Sequence, residues 1–189
     1  MKTPEKLTKN GISISTLHQS DIPLLDTILR QFVRDRDTGE ILEKEISEIK
    51  QYMGGNLDKH DRSRQYLVAR NQEGKPIACM AWTTQPDPDM ITHFTPLLDD
   101  ISLAAEPLNA FVDSQYHHLG VATALFNAIC DQAYSQGFKY IIANSGTRYQ
   151  RNHPWHDSVT DKRCGYIKEK YGPGGDAMTW IKYLQPKSI

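Results

Sequence analysis

The sequence predicts a mixed α/β fold, a mostly antiparallel sheet flanked by helices with one parallel crossover. Three observations lead there. The signal Asn71-Gln72-Glu73-Gly74-Lys75 separates two apolar runs as a hairpin turn does. A segment of helical period, Gly120 to Gln136, lies between two further apolar runs, and strands joined through a crossover helix run parallel. The 189 residues are 39% hydrophobic and 24% charged, enough to bury a core without disulfides or metal.

The elements follow in order. Residues Met1 to Asn10 are polar and read as a loose N-terminal extension. Ile12, Ile14 and Thr16 alternate with Ser13 and Ser15, the pattern of a short half-buried strand. Ser20 offers an N-cap to a helix whose apolar face is Ile22, Leu25, Ile28, Leu29, Phe32 and Val33, with Pro23 tolerated in the first turn. A second helix carries Leu42, Ile46, Ile49 and Met53 on one face and ends at Gly54-Gly55. Tyr66 to Ala69 and Ile77 to Thr84 form the hairpin. Pro86 to Asp100, rich in Pro and Asp, reads as a loop. Leu103 to Val112 is a fourth strand, and the helix from Gly120 closes at Gly137. Lys139 to Ala143 is a fifth strand. Thr147 to Arg163 reads as loop with a short helix. Tyr166 to Lys170 and Ala177 to Leu184 form a last strand pair around Gly172-Pro173-Gly174-Gly175.

Several function classes are disfavoured. The net charge of −1 does not suit a nucleic-acid binder, although nine Lys/Arg against four acids from Lys139 onward give the C-terminal part a basic surplus. Cys79, Cys130 and Cys164 form no CxxC pair, and Cys79 and Cys130 sit in apolar runs as buried thiols. His153 and His156 make at most half a metal site, so no metal is expected. The polar N-terminus and the lack of any apolar run of ~18 residues predict a cytoplasmic protein without a membrane span.

The chemistry-bearing segment runs Val112-Asp113-Ser114-Gln115-Tyr116-His117-His118-Leu119-Gly120-Val121-Ala122-Thr123-Ala124-Leu125-Phe126. A strand running through a loop into a helix with Gly at its start leaves backbone N–H groups unpaired at the positive end of the helix dipole. Such a terminus suits a phosphate, and Gly120 with Ala122 allows close approach. An ordinary helix start with small residues for packing is the alternative. Without a gap, the segment resembles motif A of the GNAT (GCN5-related N-acetyltransferase) superfamily, V-D-x-x-Y-[R/Q]-x-x-G-x-[G/A]-x-x-L. Val112, Asp113, Tyr116, Gly120, Ala122 and Leu125 fall in place, and His117 departs from the Arg or Gln position.

The resemblance implies one GNAT domain over residues 1–189 and transfer of an acetyl group from acetyl-CoA to a primary amine, on a small molecule or a protein, by direct attack. It implies that the amides of His118, Leu119, Gly120, Val121, Ala122 and Thr123 hold the pyrophosphate, with which the His117 imidazole pairs when protonated. It also implies that Ala110, Phe111 and Val112 bond the pantetheine arm, and that Asn144 contacts the arm's far side unless it is a simple cap. Glu106, eleven residues before His117, matches the catalytic glutamate of the histone-acetyltransferase branch; an exposed strand-edge carboxylate is the alternative. Pro107 beside it suggests a bulge or splay. The family often has a Tyr four residues before a Gly-aromatic pair, here Gly165-Tyr166, but that position is Asp161. Tyr149, His156 and Tyr166 are the substitutes for the general acid. A non-catalytic module binding a coenzyme A ester is the other reading, a homodimer is left open, and the amine remains unidentified.

Overall fold

The computed structural model describes residues 6–7, 11–35 and 37–185. It is a mixed α/β structure with a mostly antiparallel sheet and one parallel pair. Two compact units divide the chain: Met1–Trp82 with Leu108–Ile129, and Thr83–Pro107 with Cys130–Ile189. Part of the expected loose extension is a short strand, β1 (Lys6–Leu7), paired antiparallel with β2 (Ser13–Thr16); the rest of residues 1–10 lies outside the described residues. Among the described residues no helix is long and apolar enough to cross a membrane.

The strand order is β1-β2, then β3 (Gln65–Arg70), β4 (Pro76–Thr83) and β5 (Ala104–Val112), of which residues 108–112 belong to the first unit. β3 and β4 pair antiparallel around the expected turn, where the Asn71 side chain accepts N–H bonds from Glu73 and Lys75. Helices α1 (Ile22–Phe32) and α2 (Glu43–Met53) lay Leu25, Ile28, Leu29, Ile46, Ile49 and Met53 against Tyr66, Val68, Cys79, Ala81 and Phe111. Full burial of each such side chain stabilises the fold by roughly 1.5–3 kcal/mol. Ser20 is not the cap of α1. It sits in a 3₁₀ turn, Gln19–Asp21, and Asp21 precedes the helix, its carboxylate accepting His18 N–H at 2.8 Å and paired with Arg70 at 2.6 Å.

In the second unit the order is β5, β6 (Tyr140–Gly146), β8 (Ala177–Tyr183) and β7 (Lys162–Ile167). β5 and β6 are parallel, through Ala104–Tyr140 and Ala105–Ile141, as the crossover through α4 (Val121–Ser135) requires. Three expectations are corrected here. The Pro/Asp-rich loop contains α3 (Pro88–Phe94): Asp87 caps it by accepting Asp89 N–H at 3.0 Å, Pro88 occupies the first turn, and Met90 and Phe94, one turn apart, are fully buried. β7 begins at Lys162, not Tyr166. It is the edge strand, so its side chains are largely exposed and leave no apolar run to read. β6 continues past Ala143 through Asn144 and Ser145. Residues 147–159 form a 3₁₀ stretch (Thr147–Asn152) and α5 (His153–Val159). Burial pushes the Cys79 and Cys130 thiols up to about 12, which leaves them unreactive.

Candidate functional site

One candidate region, in the first unit, is the loop from β5 to α4. Asp113 ends the strand by donating its N–H to the Ile77 carbonyl at 2.9 Å. Its carboxylate accepts Gln115 N–H at 3.1 Å, capping a 3₁₀ turn, Ser114–Tyr116. Gln31 of α1 holds this turn: its Oε1 accepts Ser114 N–H at 3.0 Å, and its Nε2 lies 3.5 Å from Asp113 Oδ1. His118 (φ 63°) and Gly120 (φ 77°) then take left-handed backbone angles, and the chain turns directly into α4. An added Cβ at Gly120 would meet nothing within 4 Å, so glycine is favoured there by its dihedral angle alone and the space before the helix start is open.

Val121, Leu125, Phe126 and Ile129 are buried, whereas Ala122 and Thr123 are half-buried and His118, Leu119 and Gly120 are exposed. The buried stripe fixes the helix and leaves the loop and first turn facing outward. His117 Nε2 lies 2.9 Å from the Val112 carbonyl, so Nε2 carries the hydrogen and donates it. The ring lies 5.8 Å from that of Phe32. The imidazole therefore spends one nitrogen on its own strand, and Val112 spends its carbonyl on the imidazole. Ala110 is exposed and Phe111 buried.

A separate candidate region, in the second unit, surrounds Glu106 on β5. Glu106 is 2% exposed, which removes the strand-edge alternative. Oε2 accepts the Asp87 N–H at 2.8 Å, and Oε1 accepts the Asn144 Nδ2–H at 3.1 Å. Asn144 lies within β6, so it is no cap after the strand. Its carbonyl in turn accepts the Tyr171 hydroxyl. The Asp87 carboxylate pairs with Lys170 at 2.7 Å, and the Lys170 side chain is buried. The parallel ladder from β5 to β6 stops at Ala105, one residue before Glu106, and Pro107 supplies no N–H to extend it.

The other expected site residues lie elsewhere in this unit. Tyr149 is exposed in the 3₁₀ stretch, at a kink with φ −105° and ψ 33°. Tyr166 is exposed on the edge strand β7. Asp161 is structural: it accepts Lys182 Nζ at 2.9 Å and Tyr183 N–H at 2.7 Å. His156 stacks on Trp180 at 4.4 Å, and its Nδ1 is buried without a hydrogen-bond partner. Burial, aided by His153, brings its pKa down to about 4, so it is neutral at pH 7 and not the imidazolium that a general acid would need. Sequence reasoning missed Asp87, Lys170 and Tyr171 as neighbours of Glu106. The Asp87-Pro88 start of α3 was the signal for the first; Lys170 and Tyr171 carried none.

A family model, the acetyltransferase (GNAT) family, matches residues 27–166. The chain belongs to the GNAT family. That span takes in the β5–α4 loop, Glu106, Asp87 and Asn144, and stops short of Lys170 and Tyr171. No curated protein matches the sequence. Among solved structures, the chain is similar in fold to a GCN5-related N-acetyltransferase from Kribbella flavida (TM-score 0.64, 13% identity, covering 94% of this chain and 100% of that one). It is likewise similar to a phosphinothricin acetyltransferase from Sinorhizobium meliloti in complex with AcCoA (TM-score 0.62, 15% identity, 92% and 88%). A spermidine N-acetyltransferase variant from Vibrio cholerae shares the same fold (TM-score 0.62, 13% identity, 92% and 94%). At these identities the likeness is one of GNAT fold.

Proposed function

We propose that this GNAT chain transfers an acetyl group from acetyl-CoA to a primary amine by direct attack, with Glu106 as the general base. The observation that carries the reading is Glu106 itself, a buried carboxylate oriented by two neutral donors, the Asp87 N–H and the Asn144 amide. Neutral donors fix a carboxylate in place yet leave it able to accept a proton. Coenzyme A supplies the activated acetyl as a thioester. The open space before Gly120 and the outward-facing first turn of α4 fit its pyrophosphate, which the amides from His118 to Thr123 would hold. Beyond Ala105, outside the ladder to β6, β5 has backbone groups to offer the pantetheine arm. Asn144 spends its amide on Glu106 and its carbonyl on Tyr171, so we assign it to the base rather than to the arm.

The cofactor part is tested by calorimetric titration of acetyl-CoA. Gly120→Trp places a bulky side chain in the open space and strains a left-handed residue, so affinity is expected to fall at least about tenfold. Wild-type affinity in a folded Gly120→Trp protein would refute the assignment. Thiol release from acetyl-CoA across a panel of primary amines, spermidine among them, tests the transfer and identifies a working acceptor.

A further inference from the structure

Lys170 and Tyr171 are adjacent in one turn, and each reaches a different oxygen of Glu106 through a single intermediary. Lys170 Nζ binds the Asp87 carboxylate at 2.7 Å, and Asp87 N–H donates to Oε2 at 2.8 Å. The Tyr171 hydroxyl donates to Asn144 Oδ1, and Asn144 Nδ2 donates to Oε1 at 3.1 Å. We propose that the β7–β8 turn is a two-armed clamp that orients Glu106 and holds its carboxylate ionised, with Lys170 and Tyr171 as positioning residues. This rests on Glu106 being the base.

The turn is built to hold both arms still. Tyr171 N–H donates to the Gly175 carbonyl at 2.9 Å, Gly172 N–H to Glu169 at 2.9 Å, and Gly175 N–H to Gly172 at 2.8 Å. Glu169 N–H donates to Asp176 Oδ1 at 2.9 Å. A Cβ on Gly175 would stand 2.8 Å from the Tyr171 carbonyl oxygen, so the turn closes too tightly for any side chain there. Donor logic then fixes the second arm. An ionised carboxylate only accepts, so Asn144 must turn its NH₂ to Glu106 and its carbonyl to Tyr171, whose hydroxyl must donate. The Tyr171 proton is thereby committed inward, and the tyrosine serves as an anchor. Because it is half-exposed, an acceptor amine docking against its oxygen would meet the clamp directly.

The charged and titratable groups tied to this cluster include Asp87 and Asp89 at the start of α3 and Lys170 and Tyr171 in the turn. Removing the tyrosine hydroxyl frees the Asn144 amide to rotate, which weakens a bond favouring the ionised form. The carboxyl should then titrate higher.

The test uses protein labelled with ¹³C at the glutamate side-chain carboxyl, with the Glu106 signal assigned by its disappearance in Glu106→Gln. In Tyr171→Phe the Glu106 midpoint is expected to rise by about one pH unit, and in Asn144→Leu by more, with melting temperatures near wild type. Lys170→Arg keeps the charge on Asp87 and should titrate as wild type does. A Glu106 curve in folded Tyr171→Phe and Asn144→Leu that superposes on wild type overturns the clamp. The measurement needs no turnover, so it is separate from the reading of Glu106 as base. That reading fails instead if Glu106→Gln acetylates the acceptor at the wild-type rate.

Discussion

Glu106→Gln is expected to lower kcat/KM for amine acetylation by about 10²–10⁴-fold while acetyl-CoA affinity stays at the wild-type value. Glutamine keeps the size of the side chain and removes the capacity proposed for it, taking a proton from the substrate ammonium so that the free amine can attack. The surrounding network can absorb the change. Asn144 rotates so that its carbonyl faces the new amide, and the Tyr171 hydroxyl, which donates to Asn144 in the wild type, turns to accept from it. Each of these hydrogen bonds then keeps a partner, and an unchanged melting temperature separates lost chemistry from misfolding. The deficit should narrow toward pH 9, where more of the acceptor is already a free amine. Steady-state rates from pH 6 to 9 with an acceptor taken from the amine panel check this. Turnover equal to wild type across that range would place the base elsewhere.

Most of the fold was legible because its signals are local. The helical period of α1 and α2, the Asn71–Lys75 turn and the strand–loop–helix passage into α4 all lie within a few residues of the positions they specify. The elements misread were those whose sequence carries two messages. Pro86, Pro88 and Pro96 say loop, yet Asp87-Pro88 is a helix start and Met90 and Phe94 lie one turn apart on its buried side. Lys162 and Arg163 read as loop because an edge strand exposes its side chains and keeps them polar. Asn144 ended the apolar run of β6 without ending the strand, since a buried polar residue is tolerated wherever its partners are in place.

The two candidate regions differ in the same way. The β5–α4 loop is one contiguous segment, so the resemblance to motif A marks Val112 to Leu125 directly, and the structure adds what holds it: Gln31 from α1 and the left-handed angle at Gly120. Glu106 was legible as a residue, but its environment was not. Its partners come from Asp87, nineteen residues before it, and Asn144, thirty-eight after it, each fixed by a turn or strand that also had to be read correctly.

Acid is expected to weaken the second unit through His156. The ring stacks on Trp180 at 4.4 Å and 15°, Trp155 lies 4.8 Å from it, and Nδ1 is buried without a hydrogen bond. Burial first, and then repulsion from His153, lowers its pKa from 6.5 to about 4. The folded form thus binds fewer protons than the unfolded chain between those two values. Its stability is fully present above pH 6.5 and is lost as pH falls toward 4, by about 3 kcal/mol on the linkage relation. Carboxylates lose stability in a different window. Asp58, paired with Arg62 and Arg64, and Asp157, bonded to Arg163 and Trp180, are held well below the usual carboxylate range, so their contributions are lost only below 3.8. Urea unfolding at pH 7, 5.5 and 4.5 separates the two effects. His156→Phe keeps a ring against Trp180 and deletes the titration, so the variant should match wild type at pH 7 and exceed it increasingly as pH falls to 4.5. Parallel losses in wild type and variant over that range would mean that the imidazole does not govern the acid response.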